Sequence, residues 1–291
     1  MDKNIVPVLF ITYNRLEYTK KALAALLKTN YPILIMIWDN ASTDGTVEWL
    51  RDLEFENKIA LIHYSATNVG INKAFNYFIK VFKKHPFIAK VDNDTIVSPE
   101  WIDVLLDKMK RFKNLDACGA FMQRPPGQVF QHWVDTCMKK EEYIVEKVIY
   151  GEQINDNYGV EVKSAKEKYY IAYNSYTGGT GVLIRTKIFW DEGLLWEGYP
   201  CALGDWTTFQ RLLFVKKGER NIAWCSETTV KLLNIAIDGM TLTNDFPEYD
   251  EELKKVRDEG NDWYVKIGGP AGIAALIEKE GGRERLKNND I

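Results

Sequence analysis

Two carboxylates one residue apart, Asp92 and Asp94 in VDNDTIVSPEW, follow directly on the apolar run Phe87 to Val91 and precede the helix-start pair Ser98-Pro99. Paired acids at the end of a buried strand suit a hard divalent cation, which prefers carboxylate oxygens and commonly completes its shell with substrate phosphates. The same two acids also suit a turn that caps the helix beginning near Ser98, so the D-x-D spacing alone leaves both uses open.

Further polar clusters stand in the same position relative to their own apolar runs. Thr12, Tyr13 and Asn14 close Val6 to Thr12; Asp39 opens the turn-rich DNASTDGT after Ile33 to Trp38; and NVGINKAFN, starting at Asn68, follows Ile59 to Tyr64. After each run comes an apolar periodicity of helical type, such as Leu16, Ala22, Leu23, Leu26 and Leu27, or Ala74, Phe75, Phe78, Ile79 and Phe82. Asn14 is placed to cap the first of these helices, with Glu17 reaching back from three residues on. Asp39 and Asp44 are equally able to brace a turn. Strands alternating with helices predict an α/β fold with a mostly parallel central sheet covered by helices on both faces. In such sheets ligands bind at the carboxyl ends of the strands, where all four clusters fall.

The elements beyond Asp94 are less regular. A helix is predicted from Ser98-Pro99 to about Lys113 and a strand over Cys118 to Met122, followed by an irregular, aromatic insertion over residues 127–172. YTGGTGVLIRT supplies a Gly-rich turn and a strand, YPCALGDWTTFQRLLFVKKG a loop and a helix, and Ile222 to Cys225 a short strand. We divide the chain into a domain over 1–230, with a nucleotide-binding half (1–124), the insertion and an acceptor half (173–230), and a helical C-terminal extension over 231–291. Its end reads as a mobile charged tail.

Composition narrows the function classes. With 291 residues and 46% hydrophobic content there is material for one large core, and 38 basic against 41 acidic side chains leave no field to recruit nucleic acid. No apolar stretch approaches the ~20 residues of a membrane-spanning helix. The opening Met-Asp-Lys-Asn lacks the regions of a signal peptide, from which a cytoplasmic location is expected, with peripheral membrane association open. Cys118, Cys137, Cys201 and Cys225 form no C-x-x-C pair and read as idle thiols.

Together the four motifs resemble glycosyltransferase family 2, which has the GT-A fold, over roughly residues 5 to 230. VPVLFITYNR is similar to that family's first strand and nucleotide-binding turn, WDNASTDGT to its second, NVGINKAFN to its N-x-G-x-x-x-A-x-N segment and VDNDTIVSPEWI to its metal-binding strand. The resemblance implies an inverting transferase that takes a sugar from a nucleotide diphosphate donor, a UDP-sugar foremost, and passes it to a hydroxyl of a glycan, lipid-linked or protein acceptor. It implies that Thr12, Tyr13 and Asn14 flank the nucleotide, that Asp39 accepts from the base, and that Asn68 and Gly70 border the base pocket. Asp92 would lie near the ribose with Asn93 beside it, and Asp94 would ligate Mn²⁺ or Mg²⁺ between the donor's phosphates.

Inversion also needs a base on the acceptor side. Asp205, in LGDWTTFQRL and 111 residues after Asp94, stands where the family often places an acid pair; Gly204 replaces the first acid, and Asp205 also suits a helix N-cap. The glycines of TGGTG, Thr177 to Gly181, would let backbone approach the donor sugar, or would simply make a tight turn. Trp190, Trp196, Tyr199 and Trp206 crowd this region and suit sugar rings or core packing alike. Some family members add a late histidine ligand, but the histidines are His63, His85 and His132, none after Asp205.

Other classes fit less well. A haloacid-dehalogenase-type phosphatase also uses D-x-D and a later G-D, but its nucleophile strand normally opens the domain, and here about 90 residues precede it. A Rossmann dehydrogenase needs a Gly-rich first turn, which ITYNRLEY lacks, and sugar nucleotidylyltransferases need a Gly-rich basic loop that is also missing. The rival outside enzymology is a catalytically silent sugar- or nucleotide-binding module of a glycan-assembly complex.

Overall fold

All seven residues of strand β1 (Val6–Thr12) are buried, because their side chains alternate into two separate cores. Val6, Val8 and Phe10 enter one core and Leu9 and Ile11 the other. Strand β2 (Ile33–Asp39) is divided in the same way, Ile33, Ile35 and Ile37 against Met36 and Trp38. This is how a continuous apolar run becomes a central strand covered on both faces.

The computed structural model describes residues 4–53, 58–111, 113, 115–123, 171–172, 179–198, 209, 222–232, 259 and 262–289. Its first half alternates as expected: β1, α1 (Leu16–Leu26), β2, α2 (Thr46–Asp52), β3 (Ile59–Tyr64), α3 (Gly70–Phe82) and β4 (Phe87–Asp92). There follow β5 (Thr95–Val97), α4 (Trp101–Arg111), β6 (Ala117–Gln123), β7 (Ile171–Ala172), β8 (Val182–Arg185), α5 (Lys187–Glu192), β9 (Ile222–Leu232) and α6 (Gly269–Lys279). The nine strands among the described residues form one sheet in the order β3-β2-β1-β4-β8-β6-β9-β5, with β7 also paired to β9. β1 runs parallel to β2 and β4, and β2 to β3; β8 is antiparallel to β4 and β6, and β5 and β7 are antiparallel to β9. Helices α1, α2 and α4 cover one face through Leu23, Leu26, Leu50, Trp101 and Leu105, and α3 and α5 cover the other through Phe75, Phe78, Phe82 and Phe189.

The order 3-2-1-4 places a topological switch point between β1 and β4, because the chain leaves β1 toward one edge and reaches β4 on its other side. Ligand clefts of open α/β sheets form there, beyond the carboxyl ends of the strands. Register fixes what meets at this point, with Ile11 opposite Asp92 in the β1·β4 pair and Thr12 opposite Asp39 in the β1·β2 pair.

Three local expectations change. Helix α4 begins at Trp101, past Ser98-Pro99, and ends at Arg111. Strand β9 extends to Leu232, because its polar second half gains partners from β5 and β6. The tail read as mobile is docked: Leu286 is buried in the α3-side core, Lys83 donates to the Lys287 carbonyl at 2.7 Å, and the Leu194 amide donates to Glu284 O at 2.8 Å. Among the described residues no helix is long and apolar enough to cross a membrane. Cys118 is a buried thiol in β6.

Candidate active site

The first two loops on the carboxyl side of the sheet are tied together by side chains. Asp39, fully buried at the end of β2, accepts from Thr12 Oγ1 at 2.8 Å and from the Ser42 amide at 2.9 Å and hydroxyl at 2.5 Å. The Asn14 amide donates to Ser42 Oγ at 2.8 Å, and the Asn14 side-chain oxygen accepts from the Thr43 amide at 2.8 Å. Asn14 therefore does not cap α1. That cap comes from Asp44, whose Oδ2 accepts at 2.9 Å from the amide of Leu16, 28 residues earlier in the chain. Asp44 Oδ1 also accepts from the Thr46 amide at 3.2 Å and hydroxyl at 2.6 Å, so one carboxylate serves the starts of α1 and α2.

This lacing holds an unusual backbone. Asn14 and Arg15 lie consecutively in the left-handed region, at φ 53° and 64°. Neither is glycine, and each such residue costs on the order of 1 kcal/mol or more. Asn93 reinforces the turn from the other side, its Nδ2 donating to the Asn14 carbonyl and to Thr19 Oγ1, both at 2.9 Å. The result directs the Arg15 side chain at Asp94, with Nη1 3.3 Å from Oδ2 and the two side chains 11% and 18% exposed.

Around this pair is a cleft of about 230 Å³ lined by Ile11, Tyr13, Arg15, Asn40, Asn68, Gly70, Ile71, Asp92, Asn93 and Asp94. Tyr13, Asn68, Gly70, Asp92, Asn93 and Asp94 of the sequence-derived set thus share one cavity. Thr12, Asn14 and Asp39 stand directly behind it, shaping its wall through the bonds above. Asp205 lies outside the described residues, as do Thr177, Gly178, Tyr199 and Trp206. Asn68 accepts from the Gly70 amide at 3.0 Å at the start of α3, and Gly70 has φ 80° with open space where a Cβ would stand, so its requirement is conformational. In NVGINKAFN the later asparagines point elsewhere. Asn72 Nδ2 donates to the Trp196 carbonyl at 2.8 Å, and Asn76 Nδ2 donates to the carbonyl of Leu195 at 2.7 Å. Trp190 and Trp196 are likewise taken up by packing, their indole nitrogens donating to the Lys83 carbonyl at 3.3 Å and to Glu280 at 2.7 Å.

Electrostatics separate the two acids. Burial pushes the Asp94 carboxyl above the usual aspartate range; Arg15 opposes this, the Asp92 charge adds to it, and Thr95 and Lys90 oppose it further. Asp92 is more open, its side chain 30% exposed, and pairs with Lys90, which is itself only 3% exposed. Lys90 also donates to the Gly179 carbonyl at 2.5 Å, while Thr180 Oγ1 accepts from the Asp92 amide at 2.9 Å and donates to Thr95 Oγ1 at 2.9 Å. The Gly-rich turn is thereby fastened to the D-x-D segment. Arg15, Asn40 and Thr180 lie inside motifs legible in the sequence but had no individual role assigned there, and Lys90 lies outside those motifs. Lys90 carried a signal, being a charged residue inside the buried run FIAKVD.

The donor set fits a hard cation in part. Among the described residues no group of three or more His, Cys, Asp and Glu could hold a metal. Two carboxylates in one cleft, one of them poorly compensated by its surroundings, suit an ion that shares its shell with phosphate oxygens and water.

Comparison with known proteins agrees with this architecture. An N-acetylglucosaminyl-diphospho-decaprenol L-rhamnosyltransferase of Mycobacterium tuberculosis (strain H37Rv) is 30% identical over 138 residues, covering 44% of this chain and 44% of that protein. The match thus spans less than half the length of that relative. Among solved structures, S. aureus TarS 1-349 in complex with UDP superposes with a TM-score of 0.52 at 18% identity, over 78% of this chain and 60% of that one. GalNAc-T7 with UDP, GalNAc and Mn²⁺ gives 0.57 at 11% identity, over 96% and 55%. At these identities the likeness is one of fold, and the fold is that of the GT-A glycosyltransferases. The model of the family described as Glycosyl transferase family 2 matches residues 8–167, more than half of the chain, and the protein belongs to that family.

Proposed function

We propose that the protein is an inverting, metal-dependent glycosyltransferase that moves a hexosyl or N-acetylhexosaminyl group from a nucleotide diphosphate sugar, a UDP-sugar foremost, to a hydroxyl. The observation that carries the reading is the single cleft at the β1/β4 switch point. It joins Asp92, Asp94 and Arg15 to Tyr13, Asn40 and Asn68, in a chain of family 2. The nucleotide lies along the first two loops, with Asp39 and Asn14 behind it. UDP bound to TarS, and UDP and Mn²⁺ with GalNAc-T7, support a uridine donor and a divalent cation.

Asp94, with Asp92 beside it, would hold Mn²⁺ or Mg²⁺, whose charge would offset that on the leaving nucleoside diphosphate. Asp205 takes the acceptor's hydroxyl proton as its oxygen attacks the anomeric carbon. The acceptor is a glycan, lipid-linked or protein hydroxyl, and the name of the mycobacterial relative supports a lipid-diphosphate saccharide among these. Such an acceptor suits a cytoplasmic enzyme that associates peripherally with a membrane.

The test is nucleoside diphosphate release across a panel of donors and acceptors, with and without Mn²⁺, for the parent, Asp94→Ala and Asp205→Asn. Both variants should lose most turnover, with donor binding largely intact in Asp205→Asn. Normal turnover by Asp205→Asn would remove the base assignment, and donor binding without turnover across the panel would favour the silent module.

A further inference from the structure

Arg15 is the one cationic side chain among the described residues lining the cleft. It is 11% exposed, and its Nη1 sits 3.3 Å from the Asp94 oxygen, longer than the roughly 2.8 Å of a strong guanidinium–carboxylate bond. Its backbone is held in a costly left-handed conformation by Asn14's bonds to residues 42 and 43, by Asn93 and by the Asp44 cap. A strained backbone fixed by this many bonds, at the mouth of a ligand cleft, points to a functional position for the side chain it carries.

Resting on the function proposed above, we infer that Arg15 is an exchangeable partner of Asp94. It holds the carboxylate while the cleft is empty, yields that oxygen to the divalent cation, and turns its guanidinium to the donor's diphosphate. Two cations cannot share Asp94 Oδ2 without repelling each other, and a diphosphate brings pairs of anionic oxygens that the planar guanidinium binds in bidentate fashion. The exchange makes metal and donor binding mutually dependent, because metal alone must displace Arg15 with no anion to receive it.

The two consequences have opposite signs, which separates this role from plain structural support. Mn²⁺ binding without donor, followed by electron paramagnetic resonance, should be roughly three- to tenfold tighter in Arg15→Gln and Arg15→Gly than in the parent, as an ion pair of this exposure predicts, with Arg15→Lys between. Binding of UDP and GDP, measured side by side at saturating Mn²⁺, should be roughly tenfold weaker in the same two variants for whichever nucleotide the parent prefers. Arg15→Gly accepts φ 64° without a Cβ penalty and carries the test if Arg15→Gln folds poorly. If both variants bind Mn²⁺ no more tightly than the parent while Asp94→Asn loses it, the exchange is wrong and the metal assignment stands. If Asp94→Asn binds Mn²⁺ like the parent, both fall.

Discussion

Replacing Asp44 by alanine tests whether the cleft's shape depends on one carboxylate. Neither α1 nor α2 receives a side-chain cap from its own N-cap residue, Arg15 or Gly45. The Asp44 carboxylate accepts from the Leu16 amide, the Thr46 amide and the Thr46 hydroxyl, and Thr46 is fully buried. Alanine removes two caps, each worth about 1 kcal/mol, and strands a buried hydroxyl at a cost of about 1 kcal/mol more, so about 3 kcal/mol is expected. For a chain of this size that lowers the melting temperature by roughly 6 to 12 °C in calorimetry. Asp44→Asn keeps one acceptor oxygen and loses the negative charge at two helix N-termini, which places it at about half that loss. Because the Leu16 cap also holds the Arg15 backbone, Asp44→Ala should weaken UDP binding at saturating Mn²⁺, although Asp44 does not line the cleft. A melting temperature within about 2 °C of the parent would refute the reasoning, since it would mean that water satisfies these donors equally well. So would equal losses in the alanine and asparagine variants.

Asp94 should leave a signature in the pH dependence of stability. Burial raises its carboxyl above the unfolded-chain value, so the stability it contributes is present below the ordinary aspartate pKa and is lost as pH rises through the raised one. Asp94→Asn should flatten that part of the curve in urea titrations at stepped pH, and an unchanged slope would contradict the assigned burial. Lys90→Met removes the ammonium that joins Asp92 to the Gly179 carbonyl. It should raise the donor KM roughly tenfold and cost about 1–3 kcal/mol in urea denaturation, and an unaltered KM would leave Lys90 as packing alone.

The first half of the fold was legible because its apolar runs are long and its helices strongly periodic. Val6–Thr12 and Ile33–Asp39 stand in the structure at the limits their apolar character suggests, give or take one residue. The four polar clusters followed from the same reading, since parallel strands deliver their ends to a common rim. Long-range side-chain bonds were not legible. Asn14 looks like a helix cap because Glu17 completes a local pattern, yet the Leu16 amide is taken by Asp44, 28 residues beyond Leu16. The last residues read as mobile because their charges dominate, whereas among those described Leu286 supplies an apolar anchor. In β9, the polar stretch beyond Cys225 has no strand signature of its own and becomes a strand through partners from β5 and β6.

The tail bears on synthesis. The helix face of Phe75, Phe78 and Phe82 is covered in part by Leu194, Leu195 and Leu286, and the bond from Lys83 to Lys287 closes a separation of 204 residues. At 5–20 residues per second, a ribosome takes roughly 10 to 40 s to deliver that cover. During this interval an aromatic ridge made early lacks the last part of its cover. Slowing translation after α3 should therefore lower soluble yield more than slowing it before β1.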